Sequence, residues 1–241
     1  ALLSHRNSWI VTRARRILAE RRDPEVIFPL RTLVHESPDE QLQLEALWAL
    51  YVSGGFDEAF GVNLLDHSNS HVRRWAVRLL GDERRVNEAT AHRLLELAAN
   101  EPDIHVRSQL ACTAKRLSGR VGLPIVHRLL SRNEDATDGH LPLLCWWAVE
   151  RHAVSNLDLC LELFATPDAW KVSFIRDTIL DRLTRRLAAE WATDTWRGCA
   201  RLLEAAPSSA ERLRLVAAIE QGLRDGVAYD VAAAVNQGVR M

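Results

Sequence analysis

The chain has 241 residues, 47% of them hydrophobic and 26% charged, and carries a formal net charge of −1. That is the make-up of an ordinary soluble globular protein able to bury a substantial core, and it argues against a dedicated nucleic-acid or membrane-surface protein. No stretch approaches the roughly 20 apolar residues of a membrane span, and no signal-peptide pattern opens the chain. The sequence starts at Ala1 and its only methionine is Met241, so it is expected to be a piece of a longer protein.

Taken in chain order, apolar residues at helical spacing predict helices in pairs. The first four pairs cover 8–21 with 25–36, 39–53 with 57–67, 70–80 with 88–100, and 103–117 with 122–132. Three looser pairs follow: 139–152 with 155–165, 170–189 with 192–205, and 208–224 with 227–240. Stop and start signals punctuate them, among them Asp23-Pro24, Ser37-Pro38-Asp39, Gly54-Gly55, Glu101-Pro102-Asp103 and Pro207-Ser208-Ser209. Ala14, Ala46, Ala76 and Leu110 fall in one frame, 32, 30 and 34 residues apart. A helix hairpin of about 32 residues cannot bury its apolar stripe alone, whereas stacked hairpins share one core. The fold class is therefore all-α, a HEAT-like helical-repeat solenoid of about seven helix pairs, with no strands. It forms one repeat domain over 1–241, regular over 1–134 and looser over 135–241. In the helix beginning near Trp170, Ile175, Ile179, Leu183 and Leu187 recur every four residues.

Chemistry is sparse. Gly-rich phosphate loops, a nucleophile elbow and H-E-x-x-H are all absent. His67 and His71 sit four apart, but Ser68-Asn69-Ser70 between them reads as a turn, so both histidines are expected in a solvated loop without metal. Cys112, Cys145, Cys160 and Cys199 form no C-x-x-C pair, and Cys145 and Cys160 fall on apolar faces, where free cysteine packs as a small hydrophobe. No catalytic, cofactor-binding or metal-binding residue is expected, nor any haem or zinc. Trp48 and Trp75 are expected in the core. The adjacent Trp146 and Trp147, about 100° apart on a helix, are the candidates for contact with a neighbouring repeat or another domain.

Charge is segregated. Residues 36–68 hold seven acidic and no basic side chains, residues 69–132 twelve basic and six acidic, and residues 133–168 seven acidic and one basic. Arg73, Arg74, Arg78 and Arg107 are the candidate basic surface. A basic middle could grip a phosphate backbone, as in HEAT-like DNA glycosylases, and that nucleic-acid-binding function is the alternative reading. Solvated helix faces and inter-repeat ion pairs account for the same charges, and the cluster has little aromatic residue interleaved. Arg73 and Arg107, aligned in the repeat, are expected to bond neighbouring repeats or cap carbonyls.

Three segments carry a family resemblance: Ser8-Trp9-Ile10-Val11-Thr12-Arg13-Ala14-Arg15-Arg16-Ile17-Leu18-Ala19-Glu20-Arg21-Arg22-Asp23, then Glu45-Ala46-Leu47-Trp48-Ala49-Leu50, then His140-Leu141-Pro142-Leu143-Leu144-Cys145-Trp146-Trp147-Ala148-Val149-Glu150. Together with Arg182-Leu183-Thr184-Arg185-Arg186-Leu187-Ala188 and Cys199-Ala200-Arg201-Leu202-Leu203, they resemble the helical middle region of large exported planctomycete and verrucomicrobial proteins, the membrane-bound dehydrogenase-like or haem-binding proteins. Val11 departs from the arginine usual there. The resemblance implies a non-catalytic scaffold and docking module between a sugar-dehydrogenase-like β-propeller and a c-type cytochrome domain. It also implies a periplasmic or exported location, and haem c elsewhere in the parent. The partners implied are neighbouring domains of the same chain or another protein; no membrane partner is expected, since no stretch is long and apolar enough to span one. No catalytic or haem-ligating residue carries over.

Overall fold

The computed structural model describes the backbone of residues 2–238, with side chains through residue 226. Among these residues the chain is all-helical, with about 14 helices packed together and no strand. It divides into two compact units, Ala1–Arg93 and Leu94–Met241.

In the first unit α1 (Ser8–Arg21), α3 (Glu40–Val52) and α5 (Ser70–Leu80) pack on one another in order. Helix α2 (Ile27–Glu36) lies against α3, and α4 (Glu58–Asn63) against α5. Helix α6 (Glu88–Asn100) contains the division between the units. The second unit repeats the scheme. Helices α7 (Ile104–Arg116), α9 (Leu141–Ala153), α13 (Asp181–Ala188) and α15 (Ser209–Gly238) pack in sequence. Between them α8 (Gly119–Leu130), α10 (Leu157–Phe164) and α14 (Thr193–Ala205) do the same.

One local device recurs at the start of the leading helices. The side chains of Asn7, Asp39, Asn69 and Asp103 accept backbone N–H bonds from the first turns of α1, α3, α5 and α7, satisfying donors that a helix leaves open. Asp138 does this for α9 and Ser208 for α15. Seven residues after each cap stands a buried apolar residue: Ala14, Ala46, Ala76, Leu110, Cys145 and Leu215. Leu180, also buried, falls midway between Cys145 and Leu215, so the frame continues at 35-residue steps from 110 to 145, 180 and 215.

Four residues after the cap, a side chain turns back to the loop it has just left. Gln43 Nε2 donates to the Ser37 carbonyl at 2.9 Å. Arg73 Nη1 donates to His67 and Ser68 at 2.8 and 3.0 Å. Arg107 Nη1 donates to Glu101 and Pro102 at 3.0 and 2.8 Å, and Arg212 Nη2 to Ala206 at 3.4 Å. These carbonyls end the preceding segment and have no helical partner, so the clamp ties each of these helices to the end of the segment before it. Val11 and Pro142 stand at the same step and have no polar side chain to do this.

The predicted pairs are corrected in two places. The seventh is one continuous helix, Ser209–Gly238, with no break near 225; residues 239 and 240 lie outside the described residues. Gly226 serves close approach here, since a β-carbon on it would lie 2.3 Å from Trp191 Nε1. The helix expected from Trp170 is interrupted as well. Trp170 belongs to the short α11 (Pro167–Lys171), Val172 is extended, and α12 (Ser173–Ile175) restarts the helix. Asn133 Oδ1 fixes that restart by accepting from Ser173 Oγ and the Phe174 N–H. A π-helical turn, Arg176–Leu180, then leads into α13, and Ile175, Ile179, Leu183 and Leu187 are all buried.

His67 is also corrected: it is buried rather than solvated. Its Nδ1 accepts the Asn69 N–H, so Nε2 carries the proton and donates to the Val34 carbonyl at 3.1 Å. His71 lies exposed in the first turn of α5. His152 makes a matching bond in the second unit, to the Ala114 carbonyl at 3.2 Å. Gly122 leaves room for it, since a β-carbon there would sit 2.2 Å from that same oxygen. Burial holds His67, His127 and His152 below the ordinary histidine value of 6.5. In the unfolded chain these rings take up protons more readily, so they support stability above pH 6.5 and withdraw it as the pH falls toward their folded values. The thermal midpoint should therefore fall between about pH 7 and pH 5, before ordinary carboxylates titrate. A midpoint that stays level across that interval would show that the rings are not held neutral.

Candidate docking surface

Helix α9 separates the paired tryptophans. Leu141, Cys145, Ala148, Val149, His152 and Trp146 are buried, Trp146 at 8% exposure. Leu143 and Trp147, one turn apart, are each 41% exposed. Lys115 Nζ lies 5.3 Å from the Trp147 ring centroid, covering part of that ring with a cation. The helix therefore has one apolar face turned inward and a narrow aromatic strip turned outward.

The four arginines of the candidate basic surface have different surroundings. Arg107 is removed from that surface: its side chain is 7% exposed and forms a bidentate pair with Asp135, itself 4% exposed. Arg107 Nε donates to Asp135 Oδ2 at 2.7 Å and Nη2 to Oδ1 at 2.5 Å. A guanidinium suits this position because its planar fork can meet a carboxylate and two carbonyls at once. Arg73 is half-buried and holds its two carbonyls, while Arg74 and Arg78 are exposed on α5.

Trp48 and Trp75 are half-buried rather than in the core. Their rings meet edge to face at 5.1 Å, with Arg15 5.1 Å from the Trp48 ring and Arg78 5.0 Å from the Trp75 ring. Arg15 also lies 3.3 Å from Glu45. Aromatic residues are thus interleaved with arginines across α1, α3 and α5. Sequence inspection misses this because the members on different helices stand about 30 residues apart, and only the packing of α1, α3 and α5 brings them together.

No family model matches the chain, and no curated protein matches it.

The other chemistry-bearing groups are committed to packing or lie apart. Burial pushes the Cys160 thiol up to about 12 and the Cys199 thiol up to about 11, and raises Cys145 as well, so all three stay protonated at neutral pH. Among the described residues no group of three or more His, Cys, Asp or Glu side chains is placed to hold a metal ion. No described helix is long and apolar enough to cross a membrane. A groove of about 1030 Å³ in the second unit is lined by Arg120, Arg197 and Arg201 together with Asp158 and Asp194. Arg197 is already bonded to Asp194 at 3.0 Å, and both signs of charge line the walls.

Proposed function

We propose that the chain is a non-catalytic scaffold of the HEAT type, its helix pairs stacked as a solenoid, that docks neighbouring domains of its own parent or another protein. The observation that carries this reading is the cap–clamp–core frame, recurring from residue 7 to residue 215. The polar side chains that an enzyme would bring together are here used to join one repeat to the next. Within this reading the setting is an exported redox protein, with the chain between a sugar-dehydrogenase-like propeller and a c-type cytochrome domain. Support for that setting is the sequence resemblance. Arg107, buried in its ion pair, weighs against the nucleic-acid alternative.

Two measurements test this. The gene around the segment should encode a propeller upstream and C-x-x-C-H downstream; a gene with neither rejects the redox setting. The chain, expressed alone, should co-elute on size exclusion with at least one separately expressed flanking domain. If it binds none of its parent's other domains, docking within the parent fails.

A further inference from the structure

We propose that the outward strip of α9 and the groove it runs into form one docking track for an extended, acidic segment of a partner protein. This rests on the scaffold reading and names the chemistry of the partner that meets Trp147.

Leu143, Trp147 and Val154 are exposed and stand four and seven residues apart, a spacing that keeps them on one face of a helix. Val154 also lines the groove of the second unit, beside Leu157 and Leu159. An apolar path therefore runs from the start of α9 into that groove.

Three guanidinium groups along this path have nothing to hold. Arg151 on α9, and Arg120 and Arg201 in the groove, are exposed and make no hydrogen bond or ion pair among the described residues. In the same unit Arg107, Arg185, Arg186 and Arg214 each hold a carboxylate. Two further cations have neutral partners. Lys115 lies over the Trp147 ring, and Arg182, 35 residues after Trp147 in the frame, donates to the Thr178 carbonyl at 3.2 Å. Asp194 is paired with Arg197, while Glu150 and Asp158 are single negative charges along the path. Counting Arg197, six basic groups stand against three acidic ones. The balance stays positive when Asp138, the cap of α9, and Glu204, one turn beyond Arg201, are added.

Geometry sets the spacing of the occupant. Leu143 and Val154 are 11 residues apart, which is about 16 Å along a helix axis. An extended chain rising about 3.3 Å per residue covers that length in about five residues. The occupant therefore carries apolar side chains about five positions apart, followed by carboxylates that reach Arg120 and Arg201. A guanidinium without a partner presents a planar fork that a carboxylate fits.

A nucleic acid is the poorer fit. Its phosphates follow one another without interruption, so Glu150 and Asp158 would face negative charge. A peptide can leave those places neutral and set its carboxylates only where the arginines stand. Lys115 also covers part of the Trp147 ring on which a base would stack.

The test uses the full chain and a fluorescein-labelled peptide, Leu-Ser-Ser-Ser-Ser-Phe-Ser-Glu-Glu-Ser-Glu-Glu, followed by anisotropy. Saturable binding is expected, weakened about tenfold or more by Arg120→Glu with Arg201→Glu, and likewise by Trp147→Ala. The same peptide with lysine in place of each glutamate should bind about tenfold more weakly or worse. Arg13→Glu with Arg21→Glu, on α1 in the first unit, should leave binding unchanged. All four arginines are exposed, and circular dichroism would verify that each variant keeps its helices. Four outcomes overturn the proposal: no saturable binding, equal binding of the lysine peptide, equal loss in both double variants, or displacement of the peptide by a 12-nucleotide oligothymidylate that binds more tightly. None of these would touch the co-elution result on which the scaffold reading depends.

Discussion

Arg107→Ala should lower the free energy of unfolding by about 3–5 kcal/mol, because it leaves a buried carboxylate without its partner. Asp135 receives both prongs of the guanidinium and is almost wholly enclosed. The same substitution frees the Glu101 and Pro102 carbonyls, although Arg132 Nη1 still donates to Glu101 at 3.0 Å. The cost comes from the orphaned charge more than from the lost attraction, so replacing both partners should be far milder. Arg107→Met with Asp135→Leu should recover most of the loss. Urea denaturation of the three proteins separates these contributions. A single variant that unfolds at the parent's midpoint would show that water reaches Asp135 freely.

Trp146→Ala should cost about 3–5 kcal/mol, the usual penalty for deleting a large buried aromatic side chain. Trp147→Ala, about 100° round the helix and exposed, should cost about 1 kcal/mol or less, chiefly through its contact with Lys115. Trp147 is also our candidate for contact with a neighbouring domain. Its removal should therefore weaken co-elution with a flanking domain while leaving the denaturation midpoint nearly in place. Equal midpoint losses in both variants would mean that Trp147 is enclosed and that α9 presents no free strip. Undiminished co-elution would remove Trp147 from the contact.

The first half of the helical frame is readable in the sequence because its marks keep their chemistry. Asn or Asp opens each leading helix, and a small or apolar residue follows seven positions later. The frame fades after Leu110, because Pro142 and Asp177 stand where Arg73 and Arg107 stand earlier, and the core mark becomes Cys145, Leu180 and Leu215. Spacing persists while residue type drifts, and an eye trained on type loses it. Arg73 and Arg107 illustrate a different limit. Each follows a valine in the first turn of its helix and each clamps two carbonyls, so their local sequence cannot distinguish them. What separates them is Asp135, 28 residues further on. His67 is misread for the same reason: Ser68-Asn69-Ser70 describes a solvated turn, while the Val34 carbonyl that accepts its Nε2–H bond lies 33 residues earlier. The face of α1, α3 and α5 is the extreme case, since its charges and rings come from three helices and none is unusual alone.

The clamps reach back only five or six residues, and the bonds that join neighbouring repeats span modest distances along the chain. Asn69 reaches Gln43 across 26 residues, Arg107 reaches Asp135 across 28, and His152 reaches Ala114 across 38. Among the described residues, forming these bonds requires no distant loop closure, which is the slow step in folds dominated by far-apart pairings. If the helix pairs stack as we propose, each can settle on its predecessor as soon as both have been made. On a ribosome, where the amino-terminal part emerges first, structure would then accumulate in the order of synthesis, and a truncated chain ending at a repeat boundary would be a shorter version of the same object rather than a misfolded fragment.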